Sequence, residues 1–205
     1  MTKAPRLGYV KSRLGVEIGV HHALGLYRCF LLDMVKILAE LDQEFIVYFT
    51  PGNAESELLN LLGKQEFMKQ VGENLGERLF NGLEMAYIKG YTHAVALASD
   101  VPDISHEYLV EVVEMLKIHD GVIGPSTDGG YNLIGFELSK NRLDYFSGIK
   151  WGTERVFEDT MRRLKGLLVH VMPFWRDIDD MSDLKQHKLR LNSYTFGYLQ
   201  DNFLF

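Results

Sequence analysis

Short apolar runs ended by glycine or proline alternate along this chain with longer stretches of helical period, and that alternation constrains the fold most. Residues 92–97, interrupted only by His93, read as a buried strand, which must stop before Pro102 because proline has no amide hydrogen for a ladder. Residues 44–50, closed by Pro51 and Gly52, read as another strand, as do 121–124, 131–136 and 167–172. Between about 18 and 41, Leu24, Tyr27, Leu31, Met34, Val35 and Leu38 recur at spacings of three and four, predicting a long amphipathic helix. Further helices are predicted over 54–62, closed by Gly63, over 74–89, closed by Gly90, over 105–119 and 153–165, and from about Met181. Residues 3–18 read as a loop carrying glycines and basic side chains. Strands and helices in alternation predict an α/β fold, its mainly parallel sheet covered on both faces.

Composition narrows the function. With 205 residues, 46% of them hydrophobic, one core and one domain over 1–205 are expected, with 190–205 as a C-terminal extension. The aromatic residues of that extension, Tyr194, Phe196, Tyr198, Phe203 and Phe205, are expected to pack on their own domain. A net charge of −6 argues against a nucleic-acid or membrane-surface binder, which needs a basic face. The single cysteine, Cys29, cannot form an intramolecular disulfide and reads as a small core residue. No run approaches the ~18 apolar residues of a membrane span. Residues 1–6 lack the apolar stretch of a secretory signal, so a cytoplasmic protein is expected. An oligomer is compatible with the sequence but not indicated by it.

Two acidic groups share one kind of address. Asp100 follows the strand over 92–97 and so lies at the carboxyl rim of a sheet, where ligands bind in open α/β folds. Asp177, Asp179 and Asp180 follow the strand over 167–172 after a short connector. Together they suggest a divalent metal and a phosphate-bearing ligand, since a nucleotide-bound Mg²⁺ needs only one or two protein carboxylates. Asp177 and Asp179 alternate with Ile178, so in an extended segment both face away from the apolar side, and one of them can share a metal with Asp100. Plainer roles stand beside these: Asp103 or Ser105 capping the helix after Asp100, and Asp180 or Ser182 capping the last helix.

Lys11 and Arg13 straddle Ser12, and such a pair either neutralises phosphates or is simply solvated. Asp128-Gly129-Gly130-Tyr131 reads as a hairpin turn whose glycines also permit close backbone approach to a ligand, with Tyr131 as a wall. Gln70 to Arg78 carries Gly72 and Gly76 just before a helix. No Walker loop, dinucleotide fingerprint, Ser/His/Asp set or metal-spaced histidines are apparent among the seven histidines.

Taken in chain order, residues 3–14 with Lys11 and Arg13, residues 72–78, Ser99 to Asp103, Gly124 to Tyr131, Trp151-Gly152-Thr153 and Asp177-Ile178-Asp179 resemble a known family. It is the rSAM/selenodomain-associated, glycosyltransferase-like transferases of the nucleotide-diphospho-sugar transferase superfamily, which are similar to 2-phospho-L-lactate guanylyltransferase and, more distantly, to molybdenum-cofactor guanylyltransferase and CMP-KDO synthetase. The resemblance runs from about residue 3 to 184. It implies a GT-A-type three-layer α/β/α sandwich around a mixed, mainly parallel sheet. It also implies Asp100 and Asp179 as metal ligands for Mg²⁺ or Mn²⁺, with Lys11 and Arg13 holding phosphates, these four forming the catalytic set. Gln70, Gly72, Leu75, Gly76 and Arg78 would contact the nucleotide, and Asp128, Gly129, Gly130, Tyr131, Trp151 and Thr153 would border the acceptor.

The chain departs from the family pattern where only Met1 and Thr2 precede Lys3 in place of an apolar strand, where Ser12 replaces threonine, and at Asp180-Met181-Ser182, where Thr-Pro-Glu is usual. The expected activity is metal-dependent nucleotidyl transfer from a nucleoside triphosphate to a small phosphate or carboxylate acceptor, releasing pyrophosphate. Glycosyl transfer from a nucleotide sugar and a non-catalytic nucleotide- or sugar-binding module are the alternatives. No activated side-chain nucleophile is needed for either transfer, because positioning and electrostatics supply the catalysis.

Overall fold

A computed structural model of the chain describes residues 1–139, 144–187 and 193–202. The chain divides into two compact units: residues 1–69, 99–106 and 176–205 form the first, and residues 70–98 and 107–175 the second. The fold class expected from the sequence, α/β with mainly parallel strand pairing, is the one observed.

In the first unit, β1 (Thr2–Lys3), β2 (Ile46–Thr50) and β3 (Glu66–Lys69) form an all-parallel sheet in that order, with Thr2 opposite Phe49 and Val47 opposite Phe67. Helices α1 (Ser12–Ile18), α2 (Val20–Ala39) and α3 (Glu55–Leu62) surround a core in which Leu14, Leu26, Phe30, Phe49 and Leu58 are wholly buried. Leu26 and Phe30 are four apart on α2 and so share its inward face.

Two expectations are corrected here. Residues 12–18 are not loop but helix α1, because Leu14 and Gly15 bury one side of that turn while Val16 stays exposed. Strand β3 had no counterpart in the sequence reading: Glu66-Phe67-Met68-Lys69 has only two apolar residues and is a strand through its pairing with β2.

Helices α7 (Met181–His187) and α8 (Ser193–Asn202) complete this unit. Helix α8 packs on α2, where Gly25 is needed because any side chain there would run into the ring of Tyr198. Its N-terminus is capped from outside: the wholly buried Asp33 of α2 accepts from the amides of Tyr194 and Thr195, at 3.1 and 2.9 Å, and from the Thr195 hydroxyl at 2.6 Å. A carboxylate suits that place, since the first amides of a helix lack internal partners and carry partial positive charge. The aromatic tail therefore packs on its own chain through residues 193–202, while Phe203 and Phe205 lie outside the described residues.

In the second unit, β4 (His93–Leu97), β5 (Gly121–Pro125), β6 (Tyr131–Glu137) and β7 (Val169–Val171) form a mixed sheet of order β4-β6-β5-β7. Strands β5 and β6 are an antiparallel hairpin with Ile123 opposite Ile134, and β7 runs parallel to β5. Strand β5 is buried throughout. Strand β4 was expected to be buried but is not. Among the described residues it pairs with β6, at an edge of this sheet, and His93 and Val95 are exposed. Helices α4 (Leu75–Ile88), α5 (His106–Ile118) and α6 (Val156–Arg163) complete the elements, α5 beginning on the last residue of a first-unit segment. No helix among the described residues is long and apolar enough to cross a membrane.

Candidate functional site

The first unit brings Lys11, Arg13, Asp100 and Asp179 together. Lys11 caps α1 with φ 48° and ψ 49°, a left-handed conformation that costs a non-glycine residue about 1–2 kcal/mol. From there its ammonium lies 2.9 Å from Asp100 Oδ2 and 2.9 Å from Asp179 Oδ1, so the two carboxylate oxygens are no further apart than twice that distance. Arg13, on the first turn of α1, reaches Asp179 Oδ2 at 3.4 Å. The Lys11 side chain is only 3% exposed, whereas those of Asp100 and Asp179 are 36% and 38% exposed.

Backbone contacts hold the carboxylates in place. Ile178 is wholly buried in the core, and its amide donates to the carbonyl of Asp100 at 3.0 Å, stitching the two acidic segments together. Burying Ile178 leaves Asp177 and Asp179 half-exposed on either side of it, as the alternation predicted. On the other side, Tyr27 of α2 hydrogen-bonds Ser99, next to Asp100, at 3.2 Å and Thr2 of β1 at 2.9 Å. Asp103, by contrast, is buried.

The electrostatics are those of a balanced pair of ion pairs. Burial pulls the Lys11 ammonium toward neutrality, but the charges of Asp100 and Asp179 outweigh it and hold its pKa above the usual lysine value. Burial pushes Asp179 upward, yet Lys11 and then Arg13 hold it below the usual carboxylate range. Burial and the neighbouring Asp100 charge raise the Tyr27 phenol, so it stays neutral.

The donor set suits a hard divalent cation, being two accessible carboxylates with oxygen ligands only. No group of three or more His, Cys, Asp or Glu that could hold a metal occurs among the described residues, so phosphates and water would have to complete a coordination shell.

The remaining sequence-predicted residues lie in the second unit. Arg78 donates to the carbonyl of Gly72 at 3.0 Å, Asn74 caps α4 through the Glu77 amide, and Leu75 is exposed. Gln70 is half-exposed at the start of this segment. Gly76 is buried so closely against Trp151 and Phe146 that a Cβ would meet the indole Nε1 at 2.8 Å. In the hairpin, Asp128 Oδ1 accepts from the Gly130 amide at 2.9 Å, and Gly129, at φ 86°, accepts from the Phe157 amide at 2.9 Å. Tyr131 meets Trp151 edge-on with ring centres 6.3 Å apart, and the Thr153 hydroxyl donates to the Lys150 carbonyl. The segment containing Gly76 and the segment containing Trp151 thus meet, which their sequence separation does not reveal.

Sequence reasoning missed Asp183. Its Oδ2 accepts from the amides of Asp179 and Asp180, at 3.1 and 3.3 Å, and its Oδ1 pairs with Arg176 at 3.0 Å. The signal was present as Asp180-x-x-Asp183, the spacing of reciprocal carboxylate caps at a helix start.

Residues 34–153 match the family described as "Uncharacterized protein conserved in bacteria (DUF2064)". The chain belongs to the DUF2064 family. No protein of curated function matches this DUF2064 chain in sequence. Its structure is similar to that of a "putative nucleotide-diphospho-sugar transferase" from Desulfovibrio desulfuricans G20, at 35% identity and a TM-score of 0.92, over 98% of this chain and 91% of that one. It shares its fold with a nucleotidyl transferase from Methanothermobacter thermautotroptrophicus, at 19% identity and TM-score 0.61 over 98% and 97% of the two chains. The molybdopterin-guanine dinucleotide biosynthesis protein A of Archaeoglobus fulgidus matches at 18% identity and TM-score 0.54, over 91% and 96%. The DUF2064 protein is thus a member of the nucleotide-diphospho-sugar transferase superfamily and of the transferase class.

Proposed function

We propose that this DUF2064 protein transfers a nucleotidyl group from a nucleoside triphosphate to a small phosphate- or carboxylate-bearing acceptor, with release of pyrophosphate. The observation that carries the reading is the meeting of Asp100 and Asp179 on one buried ammonium, that of Lys11. Asp100 and Asp179 would hold Mg²⁺ or Mn²⁺, which when bound neutralises phosphate charge and makes the phosphorus more electrophilic. Lys11 supplies a cation fixed by α1 and already desolvated, so its attraction to phosphate is little weakened by water. Arg13 is 74% exposed and offers a planar fork that matches the oxygens of departing pyrophosphate. In this reading the incoming phosphates draw Lys11 from the two carboxylates, which then become available to the cation. The acceptor's own anionic oxygen attacks the α-phosphorus, displacing pyrophosphate, and no protein nucleophile is used.

Glycosyl transfer from a nucleotide sugar is the second reading, favoured by the name of the 35%-identical Desulfovibrio protein. The products separate the two. A screen of the four nucleoside triphosphates and common sugar nucleotides by thermal shift, with and without Mg²⁺ or Mn²⁺, identifies the donor, because a ligand of the native state raises the midpoint. Turnover releasing pyrophosphate supports the first reading and release of a nucleoside diphosphate the second. Stabilisation by nucleotide with neither product overturns both and leaves a binding module.

A further inference from the structure

We propose that Asp183 is the positioning residue that fixes Asp179, acting through the backbone rather than on substrate. The proposal rests on the reading of Asp179 as a cation ligand. Asp180 begins α7: its carbonyl accepts from the Leu184 amide at 3.0 Å and its Oδ1 accepts from the Asp183 amide at 3.0 Å. An ordinary reciprocal cap would have Asp183 return only to the Asp180 amide. Asp183 Oδ2 reaches one residue further and also takes the amide of Asp179, which lies outside the helix. Its other oxygen is held by Arg176, and its side chain is only 14% exposed, so the carboxylate cannot easily swing away.

The clamp is anchored on both sides. Arg176 lies on the segment leading to Ile178, whose burial and bond to the Asp100 carbonyl set the register of the two acidic segments. The Met181 amide donates to Glu17 of α1 at 3.2 Å, tying the start of α7 to the helix that carries Arg13. The Asp179 backbone is therefore fixed before and after its side chain, while the side chain itself stays 38% exposed. That is a fixed base beneath an accessible carboxylate. Outer partners of this kind typically change metal affinity about 10–100-fold when removed.

The test compares wild type, Asp179→Ala, Asp183→Ala and Asp183→Asn of the full chain, using Mn²⁺ in the presence of inorganic phosphate, which competes for Lys11, as probe and electron paramagnetic resonance to read free Mn²⁺. Hydrogen exchange of the segment around residues 176–184 is measured on the same samples, at a temperature where circular dichroism shows all four folded. The expected result for Asp183→Ala is faster exchange at the Asp179 and Asp180 amides and about 10–100-fold weaker Mn²⁺ binding, with Asp183→Asn between it and wild type. Should Asp183→Ala fail to fold, Asp183→Asn and Arg176→Met carry the same comparison. Wild-type Mn²⁺ affinity in an Asp183 variant with fast exchange overturns the proposal and leaves Asp183 a helix cap, even where Asp179→Ala has lost the metal. Equal Mn²⁺ binding by wild type and Asp179→Ala, or no binding by wild type, overturns the cation reading of Asp179 and this proposal with it.

Discussion

Two carboxylate arrangements in the first unit look alike on paper and behave oppositely. Asp33 is wholly buried and accepts from fixed hydrogen-bond donors of α8. Asp100 and Asp179 are about one-third exposed and meet the ammonium of Lys11, a side chain that both of them share. Fixed backbone donors make a lock, because nothing else can approach the charge and the helix cannot leave without stranding it. An ammonium shared between accessible carboxylates makes a site, because a ligand that reaches those carboxylates can compete with it. Burial and the nature of the partner, rather than the acidic residue itself, separate structure from chemistry here.

The comparison breaks most visibly at the lock. Asp33→Ala strands two helix amides and a hydroxyl and should cost about 3–5 kcal/mol in urea unfolding. A loss under about 1 kcal/mol would mean that solvent satisfies those donors and that the α2–α8 contact is not held there. At the site the effect should fall on turnover. Asp100→Ala or Asp179→Ala should lower nucleotide-dependent activity about a hundredfold or more, equivalent to about 2.7 kcal/mol of transition-state stabilisation. Each variant leaves the buried Lys11 ammonium one carboxylate, so its unfolding free energy should fall by less than that of Asp33→Ala. Full activity in either variant removes that aspartate from the mechanism.

Legibility followed the range of the physics involved. The helices of α2, α4 and α5 and the β5–β6 hairpin were readable because periodicity and glycine turns are local. Alternation about Ile178 correctly predicted which way Asp177 and Asp179 face, and strand-end position singled out Asp100. The misread elements depend on partners distant in sequence. Strand β3 exists through β2, and β4, expected to be buried, has β6 beside it at an edge of its sheet. Asp33 was invisible for the same reason: it sits three residues after Phe30 on the buried face of α2, and its partners are Tyr194 and Thr195. Lys11 was expected to hold phosphates from a loop, and only the structure shows that it sits between the two carboxylates.

A smaller effect tests whether α8 is held by shape as well as by the Asp33 lock. Gly25→Ala places a methyl against the Tyr198 ring, and overpacking of this kind should cost about 1–3 kcal/mol. In a Tyr198→Ala background the same substitution should stabilise by about 0.5–1 kcal/mol, since the obstructing ring is gone and alanine is the better residue inside a helix. Equal costs in both backgrounds would show that the two residues do not meet, because independent sites add.

The smallest effect is the most discriminating, because its sign follows from the environment of Asp33. Burial raises the Asp33 pKa, and the bonds from Thr195 and Tyr194 only partly offset it. The folded chain therefore takes up this proton at a higher pH than the unfolded chain, whose carboxyl titrates near 3.8. Above the folded pKa both states are ionised and folding bears the whole cost of a buried charge. As pH falls through that value the folded state protonates first and this cost is relieved, a gain that levels off once the unfolded chain protonates too. Asp33→Asn cannot titrate and lacks the gain. Urea unfolding of wild type and Asp33→Asn at a series of pH values from 7 down to 4 should show the difference moving in favour of wild type as acid is added. Movement the other way would mean that the three donors outweigh burial and hold Asp33 charged, and the lock would then be an ionic one, closer in kind to the Lys11 cluster than its burial implies.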